Sequence, residues 1–166
     1  MGMNARSAGR RAATAALPPF QALLDAHKDD VYRFLVSLIG PGDADDCFQE
    51  TFLSALRSYP SLRDGRNLRS WLLTIAHRKA IDRTRTRRRT TSLSEAPEPA
   101  VGPPESDPAL WAQVGELPVK QRAAVVLRFV NDMAYREIGS ILDCSEEAAR
   151  RSTHEGVKRL REVISR

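Results

Sequence analysis

The chain has 166 residues, 42% of them hydrophobic and only 6% aromatic, and carries a net charge of +5 with a pI near 9.7. That length holds one ordinary domain or two small ones, and no apolar run approaches the ~20 residues of a membrane-spanning helix. Two distant cysteines, Cys47 and Cys144, and three scattered histidines, His27, His77 and His154, fit neither a disulfide framework nor a zinc site, so free thiols, no metal and no cofactor are expected.

Residues 1–19 carry three arginines but no apolar segment of signal-peptide length, because Ala12–Leu17 is short and stopped by Pro18 and Pro19. They are read as a disordered leader and the protein as cytoplasmic, with no membrane partner. Residues 20–39 then place apolar side chains at 20, 23, 24, 31, 34, 35 and 38, a helical stripe with a gap near Lys28 where a break is expected. Gly40 to Asp43 ends that helix, and Asp43 is expected to cap the next. Residues 44–59 form a second helix with Phe48, Phe52, Ala55, Leu56 and Tyr59 on one face. Pro60, Asp64 and Gly65 mark a loop. A third helix over 68–87 has a buried side of Leu68, Trp71, Leu72, Ile75, Ala76 and Ala80.

Residues 90–108 hold five prolines and almost no apolar side chains, the composition of a semi-extended linker. Beyond it come a short helix from Ala109, a helix from Pro118 to about Val130, another over "AYREIGSIL", and a last one capped by Ser145. Between the last two, "DCS" is a tight turn in which Asp143 takes the left-handed conformation. Helix, three-residue turn, helix is the geometry of a DNA reader. The expected fold is therefore all-α: two small helical domains, 20–89 and 109–166, joined by a Pro-rich acidic linker, the second containing a helix-turn-helix.

Charge follows this division. Residues 20–61 carry −4, residues 62–89 carry +8, residues 90–117 carry −5, and residues 118–166 carry +3. Two basic segments on either side of an acidic tether suit two nucleic-acid contacts. In "NLRSWLLTIAHRKAIDRTRTRRR", residues 67–89, an apolar helix continues into a row of guanidiniums that can meet phosphates at preset spacing, with steep salt dependence. Trp71 suits either core packing or base stacking. Upstream, Asp43, Asp45, Asp46 and Glu50 line up beside a hydrophobic face; complementing the positive end of a helix dipole accounts for Asp45 and Asp46, while Gln49 and Glu50 beside Phe52 suit a protein interface. Serines, histidines and carboxylates form no nucleophile elbow, phosphate loop or metal motif, so no catalytic residue is assigned.

"DADDCFQETFLSALRSYPSLRDGRNLRSWLLTIAHRKAIDRTRTRRR" resembles the −10-reading domain of bacterial RNA polymerase sigma factors of the extracytoplasmic-function (ECF) group. "LPVKQRAAVVLRFVNDMAYREIGSIL" resembles the start of their −35-reading domain. The resemblance implies a non-enzymatic factor that binds core RNA polymerase, recognises and melts promoter DNA and starts transcription, with an anti-sigma protein as a further conceivable partner. It implies that Asp45, Asp46, Gln49, Glu50 and Phe52 dock on the polymerase. Asn67, Arg69, Ser70, Trp71, Thr74, His77, Arg78, Asp82 and Arg83 would line the path of the melting −10 element. Arg150, Arg151, His154 and Lys158 would meet the −35 element. The second domain departs from the family pattern at Ala134, Asp143, Ala149, Ser152, Thr153 and Glu155, which implies a weaker helix cap, looser packing and unusual −35 recognition. The alternative is a stand-alone helix-turn-helix regulator that binds duplex DNA without polymerase, which leaves the Gln49–Phe52 face without a role.

Overall fold

The computed structural model describes residues 16–90, 101–102 and 104–166. The expected leader up to residue 15 and the linker residues 91–100 and 103 lie outside the described residues. All the regular elements described are helical: α1 (Phe20–Ile39), α2 (Pro41–Ser58), α3 (Leu68–Thr90), α4 (Pro108–Gly115), α5 (Val119–Phe129), α6 (Tyr135–Leu142) and α7 (Glu146–Ile164), with a 3-10 turn at Tyr59–Ser61.

Helices α1, α2 and α3 pack on one another. From α1 come Leu23, Val31, Phe34, Leu35 and Leu38, from α2 Ala44, Cys47, Phe52 and Ala55, and from α3 Leu68, Leu72, Leu73, Ala76 and Ala80. Full burial of each leucine or phenylalanine contributes about 1.5–3 kcal/mol. Contrary to expectation, α1 runs unbroken past Lys28, because no proline or glycine interrupts it. The gap in its apolar stripe has another cause: half-buried His27 and Asp30 occupy that turn, and Asp30 meets Arg69 of α3.

Helix α2 also starts earlier than expected. Gly40 turns the chain at φ 82°, Pro41 takes the first helical position, and Asp43 lies inside the first turn rather than at the cap. Leu56, expected in the buried face, is exposed, because the inward arc runs through Ala44, Cys47, Thr51 and Ala55 and Leu56 lies about 100° beyond it. Helix α3 extends to Thr90, three residues past the expected end, with Arg87, Arg88 and Arg89 against the negative pole of its dipole.

The second unit packs α7 against α5, α6 and α4. Pro118 precedes α5 as its cap rather than opening it. Between α6 and α7 the turn forms as the sequence indicates: Asp143 sits at φ 55°, ψ 51°, and the Ser145 hydroxyl accepts from the Ala148 amide at 3.0 Å. The Cys144 amide donates to the Gly139 carbonyl at 2.8 Å, and a Cβ on Gly139 would stand 2.8 Å from the Cys144 carbonyl oxygen, so this turn needs glycine at 139. Ala134 offers no side-chain cap to α6, but Glu137 Oε2 accepts from its amide at 3.1 Å, keeping half of a capping box.

The two units touch. Helix α3 lies against α6, and α1 against α5. On α3, Leu73 is fully buried and Ser70, which meets Glu137 of α6, is 6% exposed, while Trp71 and Ile75, expected in the core, remain half-buried.

Candidate polymerase and nucleic-acid interfaces

The outer face of α2 is mixed in character. Asp45, Asp46, Gln49 and Glu50 are exposed. Phe52 is not: it is buried in the core and packs on Phe48 with ring centroids 4.9 Å apart. The apolar component of this face comes instead from Leu53 and Leu56, 52% and 50% exposed. Asp46, Gln49, Leu53 and Leu56 follow at intervals of three or four residues, which places them on one helical stripe. The sequence signal was two leucines in phase with Gln49 rather than with the core. Tyr32 of α1 joins the edge of this face, donating from its hydroxyl to Asp45 at 3.0 Å and standing edge-on to Phe48 at 5.7 Å.

The basic end of α3 has two sides. Arg78, Asp82, Arg85 and Arg89 are exposed at spacings of four, three and four residues and form one outward row. Arg85 and Arg89 complete a row of which the sequence assignment named Arg78 and Asp82. Arg83 and Arg87 turn the other way. Arg83 donates from Nε to Asp43 at 3.1 Å and from Nη2 to Asp46 at 3.0 Å, and Arg87 reaches Asp43 at 2.5 Å. Hydrogen bonding to Asp43 raises the already high pKa of Arg83. Arg83 and Asp46, assigned to separate partners, thus bond each other, and the half-buried Asp43 ties both arginines to the start of α2.

At its beginning, α3 faces protein. The Asn67 carbonyl accepts the Trp71 amide at 3.1 Å and its side-chain oxygen lies 3.4 Å from the Ser70 amide, so Asn67 caps the helix. Trp71 is half-buried with its ring 6.1 Å from that of Tyr59, which supports the packing role. Thr74 donates to the Ser70 carbonyl at 2.7 Å. Arg69 donates to Asp30 at 2.5 Å and to the carbonyl of Asn131. Ser70 meets Glu137 at 3.5 Å. His77 is half-buried, and desolvation, followed by the charge of Arg78, lowers its pKa to about 4. At neutral pH it carries no charge to offer a phosphate.

On α7, Arg150, Arg151, His154 and Lys158 are all exposed. Arg150 lies 5.1 Å from the centroid of Tyr135, which Arg128 approaches from 4.7 Å, and Arg150 also pairs with Glu146 at 3.2 Å. Arg151 is 3.8 Å from Glu147. A groove of about 300 Å³ runs along this face between Phe129, Tyr135 and Val157, rimmed by Arg150, His154 and Lys158. The departures from the family pattern are accommodated: Ala149 is buried, and buried Thr153 donates to the Ala149 carbonyl at 3.0 Å. Exposed Glu155 accepts from the Gln121 amide of α5 at 3.2 Å, which ties one of its oxygens to the protein.

Cys47 is buried, and desolvation first, then the charge of Glu50, pushes its thiol up to about 11. Cys144 is half-buried in the turn. Among the described residues no group of three His, Cys, Asp or Glu side chains is placed to hold a metal ion, and no helix is long and apolar enough to cross a membrane.

Both helical units match known families. Residues 23–90 match the family described as Sigma-70 region 2, and residues 108–160 that described as Sigma-70, region 4. The RNA polymerase sigma factor CarQ of Myxococcus xanthus is 33% identical over 154 residues, covering 87% of this chain and 88% of CarQ. The ECF RNA polymerase sigma factor SigE of Mycolicibacterium smegmatis is 32% identical over 166 residues, covering 92% of this chain and 64% of SigE. In fold, the chain is similar to the sigma factor RpoE of Bartonella quintana, solved with the anti-sigma factor NepR, at a TM-score of 0.78 and 23% identity, with 88% of this chain and 96% of that chain covered.

Proposed function

The chain belongs to the extracytoplasmic-function group of RNA polymerase sigma factors, and from that premise we propose how its surfaces divide the work of initiation. It binds core RNA polymerase and directs it to promoter DNA. This family acts without an enzymatic site of its own, and bond formation is the polymerase's.

In this reading residues 20–89 bind polymerase and the −10 element, residues 90–108 are the connector, and residues 109–166 bind the −35 element. The α2 face of Asp45, Gln49, Glu50, Leu53 and Leu56 docks on the polymerase, its polar rim setting orientation and its two exposed leucines supplying the apolar area. Phe52 supports this face from beneath. The row of Arg78, Arg85 and Arg89 takes the phosphates of the opening strand, and Asp82 lies among them. Opening the duplex costs a few kcal/mol per unstacked base, and capture of the exposed strand offsets that cost. Arg150, Arg151, His154 and Lys158 enter or flank the major groove from α7. The site of action is the cytoplasm, where the polymerase and chromosome are, and an anti-sigma protein is a further partner class.

The observation that carries this reading is one chain holding, in order, a helical unit matched to region 2 and a helix-turn-helix unit matched to region 4. A stand-alone regulator would use the second and leave the exposed leucines of α2 without a partner. Run-off transcription with purified core polymerase on a library of genomic fragments tests it: discrete transcripts that require the chain are expected, and polymerase activity indifferent to the chain overturns it.

A further inference from the structure

Arg69 and Ser70 belong to the set expected to receive the −10 strand, yet both are engaged by the second unit. Asn131, in the turn after α5, is 1% exposed, and its amide nitrogen donates at 3.0 Å to both the carbonyl and the carboxylate of Asp30 in α1. The same carboxylate accepts from Arg69 at 2.5 Å, and Arg69 closes the ring by donating to the Asn131 backbone carbonyl. Two further contacts run in parallel. Ser70 meets Glu137, the residue that caps α6, at 3.5 Å. Half-buried Arg122 reaches the Leu38 carbonyl at the end of α1 at 3.1 Å.

We propose that Asp30, Arg69 and Asn131 form an intramolecular latch that closes the second unit over the start of α3, and that the latch opens before a DNA strand reaches that helix. The inference rests on the function proposed above for the sense of its effect, but not for its existence. Geometry gives the reason for a latch rather than a general adhesive contact. Asp30 and Arg69 pair with each other across α1 and α3, and Asn131 joins that pair from the second unit through polar contacts alone, its amide donating to Asp30 and its backbone carbonyl accepting from Arg69. Solvated separately, the same groups bond to water, so the closed form is favoured modestly and reversibly. The Asn131 side-chain oxygen has no partner in the closed form, a cost that opening relieves. Arg69 is the common element: its guanidinium serves either the latch or a phosphate. A strand with differential affinity for the open form therefore shifts the balance toward it.

The test uses the full-length chain with Asn131→Ala, which removes the cross-unit amide and leaves the proposed polymerase- and DNA-contacting residues intact. Asp30→Asn, which keeps the shape and removes the charge, is the second variant, and far-UV circular dichroism establishes that each is as helical as wild type. Small-angle scattering reads the latch alone, and promoter opening with core polymerase on a fragment selected by run-off transcription reads its consequence. The latch predicts a larger radius of gyration for both variants, about tenfold more open form, and correspondingly less chain needed for half-maximal opening. Variants as compact as wild type overturn the latch. Variants that expand but open the promoter at unchanged concentration overturn the masking of α3. Variants that do not expand, beside wild type that initiates normally, refute the latch and leave the proposed function standing. Wild type that never initiates refutes that function, while scattering still decides the latch.

Discussion

The guanidinium of Arg83 bridges Asp43 at 3.1 Å and Asp46 at 3.0 Å, joining the basic end of α3 to the acidic start of α2. Read along the sequence, Arg83 and Asp46 belong to opposite surfaces, one expected to meet DNA and one polymerase, and Asp43 to a helix cap. In the fold they are a strut. Asp43 also takes Arg87 at 2.5 Å, so the last two turns of α3, which extend beyond the apolar residues of the bundle, are fixed by charge rather than by burial.

The strut separates two kinds of arginine by their mutants. Asp43→Asn and Arg83→Ala should each lower the stability of the first domain by about 1–2 kcal/mol, a figure between exposed and buried pairs. Arg78→Ala, on the exposed row, should leave stability within about 0.5 kcal/mol and weaken strand capture. Chemical denaturation of each variant, alongside DNA binding by its polymerase complex, checks the distinction. Equal destabilisation by Arg78→Ala and Arg83→Ala would count against it.

In the proposed function the two exposed leucines of α2 supply the apolar part of the polymerase contact. Changing Leu53 and Leu56 together to aspartate should reduce core affinity at least tenfold, because buried apolar anchors dominate interface energy, and should leave thermal stability nearly unchanged, because both side chains are already half in solvent. Phe52→Ala should do the reverse, costing about 3–5 kcal/mol of stability as a core truncation. Affinity by labelled-core titration and melting by circular dichroism separate the two cases.

Salt dependence tests the row proposed to face DNA. For a pre-melted promoter, each of Arg85→Ala and Arg89→Ala should reduce the log–log salt slope by about 0.7, the value for one single-strand phosphate contact. Arg87→Ala, whose guanidinium is tied to Asp43, should change the slope less and stability more.

His77 makes stability fall with acid. Its folded pKa, about 4, lies below the unfolded value of 6.5, so the unfolded chain binds the extra proton between these values. The stability contributed by the neutral imidazole is fully present above pH 6.5 and is lost as pH falls toward 4, by up to about 3 kcal/mol from a shift of this size. His77→Gln should flatten that part of the stability–pH curve, measured by urea denaturation from pH 4 to 7.

Much of this was legible in the sequence, and the rest had identifiable reasons to be hidden. Helix order, the turn at Asp143 and the cap at Ser145 follow from local chemistry that tertiary structure had no cause to override. Leu56 directly follows Ala55 in sequence, yet it lies outside the inward arc of Ala44, Cys47, Thr51 and Ala55, a difference of one helical position that apolar character alone does not reveal. The gap in the α1 stripe was visible, but that it marked a polar junction rather than a break depended on Arg69 and Asn131, 39 and 101 residues from Asp30. The inward turn of Arg83 was similarly out of reach, since its partner lies 40 residues upstream on another helix.

Promoter opening by reconstituted polymerase, followed by permanganate reactivity of unpaired thymines, tests the central claim most directly. With wild-type chain, reactive thymines should appear at the −10 element of a selected fragment. With Arg78→Ala and Arg85→Ala combined, the polymerase complex should assemble at wild-type affinity and the thymines stay protected. Equal reactivity with both chains would contradict the account, because the exposed arginine row of α3 would then not hold the open strand.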